Sequence, residues 1–153
     1  MTLRPTINEQ IIESLYREAL LLADEARCAF DLRAESHYSE APDAVRLALS
    51  IEGMKTTTRL MHVLAWLLNQ RAYLSGEMSE TQLRRHGTLP DDRPSEGDQL
   101  ARLEPATRAM VRDSVRLYDR VARLDADWRS MDAAAAPPVQ EMRGRIAQAF
   151  AAR

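Results

Sequence analysis

A chain of 153 residues with 45% hydrophobic and 29% charged side chains has the size and balance of one soluble globular domain that buries a core without staples. Its formal charge of −2, with bases interleaved among acids, gives no electrostatic footprint for nucleic acid. The single cysteine, Cys28, excludes an internal disulfide and CxxC-type metal or redox motifs, and reads as a small buried residue of the first helix.

Few glycines and many Ala, Leu, Arg and Glu bias the chain toward helix. The opening Met-Thr-Leu-Arg-Pro-Thr lacks the basic-then-apolar pattern of a secretory signal. Thr6-Ile-Asn-Glu9 has capping-box spacing and starts a first helix. Ile12, Leu15, Tyr16, Ala19, Leu22, Ala23, Ala26, Ala29 and Phe30 give it one amphipathic face, which fades near Ala34 to His37. Ser39 and Pro42 mark a turn and the next start.

The second helix, ending at Ser75-Gly76-Glu77, is the centre of the chain. Leu47, Ile51, Met54, Thr58, Met61, Ala65, Leu68 and Ala72 alternate steps of four and three, the spacing of a helical seam. Gly53, Thr57, Leu60, Leu64 and Leu67 lie beside it, and together the two lines predict a central helix with two neighbours. The remaining arc holds Glu52, Lys55, Thr56, Arg59, His62, Val63, Trp66, Gln70 and Tyr73. That mixture of aromatic and charged side chains is enriched at interfaces, so this arc is expected to face outward and to bind a partner protein. The candidate contacts are Lys55, Arg59, His62, Trp66, Gln70 and Tyr73, with Arg59 placed to stack on Trp66 or to fork onto a carboxylate. The competing view is that Trp66 and Tyr73 only flank the core. The run Thr56-Thr57-Thr58 is read as close packing against neighbouring helices.

Ser79-Glu-Thr-Gln82 is a second capping box, predicting a helical turn through Arg85 before Gly87. His86 to Asp98, with its prolines and glycines, reads as a loop that crosses the bundle end or runs along its side, pinned by Leu89 and Leu100. Pro105 starts a third helix on which Met110, Ser114, Leu117, Val121, Leu124 and Trp128 keep the four-three rhythm. Ala133 to Pro138 breaks it, and Val139, Met142, Ile146 and Phe150 line a short amphipathic tail.

Chemistry is poorly represented. His37, His62 and His86 fall in separate segments without metal-ligand spacing, no glycine-rich phosphate loop is present, and no nucleophile motif appears. The prediction is a protein without catalytic residues, cofactor or metal. No apolar run is long enough to span a membrane.

The segment Ser50-Ile-Glu-Gly-Met-Lys-Thr-Thr-Thr-Arg-Leu-Met-His-Val-Leu-Ala-Trp-Leu-Leu-Asn-Gln-Arg-Ala72, with Gly76-Glu77, resembles the signature of the RcdA family, regulators of CtrA degradation in alphaproteobacteria. Gly87-Thr-Leu-Pro90, Leu103-Glu-Pro-Ala-Thr-Arg108, Ser114 to Asp125 and Ile146-Ala-Gln-Ala-Phe150 are similar to the family too. The resemblance implies a dimeric, non-enzymatic three-helix bundle. It implies a role in delivering CtrA to the ClpXP protease, beside CpdR-like and PopA-like co-adaptors.

The expectation is therefore an all-α, antiparallel three-helix bundle with a long central helix over residues 1–131. An Ala/Pro break and an amphipathic tail follow over 132–153. It is expected to be cytoplasmic and homodimeric, an adaptor that presents cargo. Two other classes stay open. One is a small-molecule- or lipid-responsive bundle with an enclosed pocket lined by Met54, Met61, Met110 and Trp128. The other is an enzyme with a site on the 86–98 loop, which needs a cleft with a shifted titratable group.

Overall fold

The computed structural model describes residues 7–31, 40–135 and 148. Among them the chain is all helical: α1 (Ile7–Ala29), α2 (Asp43–Leu74), α3 (Glu80–His86), α4 (Gly97–Leu100) and α5 (Pro105–Ala135), with no strand. The short α4 had no sequence signal. The proposed cap at Thr6, the fading end of α1 at Ala34 to His37 and the apolar line of the tail lie outside the described residues.

The chain falls into two compact units, Met1–Ala122 and Arg123–Arg153. The first holds the core. α1 contributes Ile12, Leu15, Ala19, Leu22 and Ala26, the face that its spacing predicts. The first part of α5 contributes Met110, Ser114, Leu117 and Val121, again as expected, with Val111 buried beside them. α1 packs along α2, and just past the end of α1 the Phe30 ring sits against Gly53, where a Cβ would stand 2.9 Å from it. Arg71 on α2 reaches back to α1, pairing with Glu13 at 2.7 Å and lying 4.4 Å above the Tyr16 ring.

α2 ends in a Schellman motif. Glu77 N–H donates to the Ala72 carbonyl at 2.9 Å and Gly76 N–H to that of Tyr73 at 3.1 Å, with Gly76 at φ +80°. Only glycine takes that conformation cheaply, so the stop read at Gly76 is structural. α3 opens on the expected box. Gln82 N–H donates to Ser79 Oγ at 3.2 Å, and Ser79 N–H donates to Gln82 Oε1 at 2.9 Å.

In the second unit the end of α5 is tied to itself, with Arg129 donating to Asp125 at 3.0 Å and Ser130 to the Asp127 carbonyl at 2.8 Å. Met131 there is exposed.

α2 is turned differently from the sequence expectation. Its buried positions are Ala48, Leu49, Glu52, Gly53, Thr56, Arg59, Leu60, Val63, Trp66, Leu67 and Gln70. The predicted seam faces water: Leu47 is 57%, Met54 72%, Met61 63% and Leu68 48% exposed. Of the adjoining line, Gly53, Leu60 and Leu67 are buried as expected, while Leu64 is half-buried and Thr57 exposed. The physical reason is a second four-three line, Leu49, Gly53, Thr56, Leu60, Val63, Leu67 and Gln70, displaced around the helix. Apolar side chains occur nearly all round α2, so the spacing alone does not choose which arc faces the core. Cys28 is likewise exposed rather than buried, and of the three threonines only Thr56 is packed inside.

Candidate functional site

Two opposite faces of α2 define the molecule's chemistry, one polar and inside, the other apolar and outside. The inner face is built around Arg59, which is only 1% exposed. A buried guanidinium needs acceptors for a fork of donors. Arg59 Nε donates to Asp92 Oδ2 at 2.7 Å and Nη1 to Ser114 Oγ on α5 at 2.9 Å. Its Nη2 donates to the Arg93 carbonyl at 3.2 Å and to Ser95 Oγ at 3.4 Å. Ser114 in turn donates to the Val111 carbonyl at 2.6 Å, which fixes its oxygen as the acceptor for Arg59.

The loop of residues 87–96 is therefore a strap along α2. One turn before Arg59, Lys55 Nζ donates to the Pro94 carbonyl at 3.1 Å and stands 3.7 Å from Glu52 and 3.6 Å from Glu96. Glu96 N–H donates to Glu52 Oε1 at 3.4 Å. Asn69 holds the His86 carbonyl at 3.3 Å, and Tyr118 on α5 donates its hydroxyl to the Pro90 carbonyl at 2.6 Å. Leu89 is buried, as its predicted pinning role requires, and Leu100 is half-buried. Burial, then the carboxylates of Asp92 and Asp91, push the Tyr118 phenol above its usual value. Among the described residues, Glu52 Oε2, Thr56 Oγ1 and His62 Nδ1 are buried without a hydrogen-bond partner.

The six proposed contact residues thus divide. Arg59, Trp66 and Gln70 are buried, at 1%, 2% and 7% exposure, so the expectation that they face outward is corrected. Arg59 does meet a carboxylate, but an internal one. Lys55 and His62 are half-buried, and Tyr73 is exposed. Sequence reasoning missed Asp92, Ser95 and Ser114 as partners. The available signal was the acid pair Asp91-Asp92 set between Pro90 and Pro94 of the strap.

The outer face is the ridge running from Leu47 to Ala72. Beside its first half an open groove of about 660 Å³ runs between Leu47, Ile51 and Met54 and the strap residues Asp91 to Arg93. The enclosed pocket expected for a ligand-responsive bundle is not formed by Met54 and Met61, which lie on the solvent side while Met110 is buried. A second open groove, of about 450 Å³, lies on the other side of the strap, between Pro94, Leu100 and Tyr118. Among the described residues no cluster of three or more His, Cys, Asp and Glu side chains is placed to hold a metal ion, and no helix is long and apolar enough to cross a membrane.

These features define an all-helical protein with a strapped polar core and an apolar outer ridge. The chain belongs to the family described as "Protein of unknown function (DUF1465)", whose model matches residues 3–150. Neither the curated proteins nor the solved structures contain a match.

Proposed function

We propose that this protein is a non-enzymatic adaptor of regulated proteolysis, a homodimeric up-down-up helical bundle that binds partner proteins. In this reading it promotes delivery of the response regulator CtrA, or similar cargo, to the ClpXP protease, in concert with CpdR-like and PopA-like co-adaptors. The cargo assignment rests on the resemblance of Ser50 to Ala72 and the later motifs to the RcdA family. The observation that carries a binding role is the outer face of α2, which presents Leu47, Met54, Met61 and Leu68 to water on one ridge. Large side chains that a fold leaves outside in a contiguous line mark protein contact surfaces. Tethering then raises the effective concentration of a weakly recognised substrate at the protease, and needs no reacting group.

The test is turnover of purified CtrA by ClpXP with its co-adaptors, with and without this protein. The variants are Leu68→Glu and Tyr73→Ala, which change exposed residues and leave the Arg59 node intact. Wild type is expected to shorten the half-life of CtrA, and Leu68→Glu to lose that effect while keeping its helicity. Unchanged turnover with wild type, together with no binding to CtrA or a co-adaptor, removes this cargo.

A further inference from the structure

The outer ridge of α2 carries a coiled-coil repeat that the described fold leaves largely uncovered: Leu47, Met54, Thr58, Met61, Ala65 and Leu68 are exposed, and Ile51 and Ala72 half-buried. Its alternating four-three steps are the a and d positions of a heptad, sustained over roughly 38 Å of helix at 1.5 Å per residue. In most folded helices such a seam is the packed one. Here the packed seam lies on another arc of the same helix, and this one is left over.

We propose that the ridge is covered by the same ridge of a second copy, with the two α2 helices antiparallel and their two-fold axis between Arg59 and Leu60. The inference rests on the homodimer of the preceding proposal and gives it an interface and a register. Side-chain size carries it. In this register Ile51 of one copy meets Leu68 of the other, Thr58 meets Met61, Met54 meets Ala65, and Leu47 meets Ala72. Three of the four distinct layers join a long side chain to a short one, so the gap between helices fills evenly from end to end. A parallel pair places Met54 on Met54 and Met61 on Met61 but leaves Ala65 and Ala72 facing their own copies. Such a pair bulges at one end and gapes at the other.

Charge agrees with the antiparallel choice. The flanking positions then set Ser50 opposite Arg71, Thr57 opposite Leu64 and Lys55 opposite His62, so no two carboxylates and no two guanidinium groups are brought together. Lys55 is already beside Glu52 and Glu96, and Arg71 is paired with Glu13. A seam of this composition, bounded by neutralised cations, is self-complementary under a two-fold operation, as an isologous interface demands.

The experiment uses the full chain with Cys28→Ala, so that only introduced thiols react. Copies carrying Met54→Cys are mixed with copies carrying Ala65→Cys and oxidised, and Leu47→Cys is oxidised alone. The expected result is a cross-link in the mixture and none for Leu47→Cys. In the antiparallel register its two thiols stand roughly 38 Å apart, whereas a parallel pair would bring them into contact. In parallel, light scattering on wild type is expected to read twice the chain mass of 17.3 kDa. The Met54→Glu/Met61→Glu double variant is expected to read a single chain with unchanged helicity, its association weakened on the order of a hundredfold. A linked Leu47→Cys overturns the register. A dimer that survives the double variant overturns this interface while leaving the dimer itself. A monomeric wild type removes both, and turnover with and without the wild-type chain judges the adaptor role separately, since Leu68→Glu lies in the proposed seam.

Discussion

Arg59 is a charge withdrawn from water and given its hydrogen bonds by a loop. Because Asp92, Ser114, Ser95 and the Arg93 carbonyl share one guanidinium, removing it strands several acceptors together. Arg59→Ala is expected to destabilise the fold by about 3–5 kcal/mol, the range for breaking a buried ion pair from one side, read as a lower urea midpoint. Arg59→Lys should recover little, since an ammonium cannot span the same fork. Tyr118 supplies a second signature. Its phenol is held above its usual value, so its contribution is full below the unfolded tyrosine value of about 10. That contribution is lost as pH rises through the higher folded value, because the bond to the Pro90 carbonyl needs the proton. Ultraviolet titration should show a late-titrating component from Tyr118, and Tyr118→Phe should delete it.

At the scale of elements, what was legible followed from amphipathic contrast. α1 and α5 each have one apolar face, and their buried residues are those the three-four spacing selects. The Ser79 box and the Gly76 stop were readable because each is a local bond pattern written within a few residues. α2 was legible as a helix but not in its rotation. Trp66 and Met61 are both apolar in sequence, and which of them is buried depends on packing against segments distant along the chain, which no local pattern reveals. The polar node was hidden for the same reason, because its donors lie on α2 and its acceptors on the strap and α5. Two tests belong here. Ser79→Ala should loosen α3 by about 1 kcal/mol, seen as faster amide exchange confined to Glu80 to His86. Gly53→Val pushes a branched side chain into the Phe30 ring, and should cost about 1–3 kcal/mol by overpacking.

For the molecule as a whole, the two faces of α2 predict opposite responses to the same kind of change. Trp66→Ala empties the centre and should cost about 3–5 kcal/mol, whereas Met54→Ala on the outer ridge should leave the stability of a single chain within about 0.5 kcal/mol. Thermal melts of dilute protein distinguish the two. The strap, finally, sets an order of events. Its acceptors serve donors on two helices that are far apart along the chain, Arg59 on α2 and Tyr118 on α5. It has no repeating backbone ladder of its own to form early. Docking on α2 alone satisfies Asp92 and the Pro94 carbonyl but leaves the Pro90 carbonyl without the Tyr118 hydroxyl. It gains its full return for the chain entropy it costs only once both helices have met. The strap is therefore expected to lock late during folding and to lift early, a clasp whose fastening reports that the rest of the body has assembled; faster amide exchange in residues 87–96 than in α2 is the result that checks it.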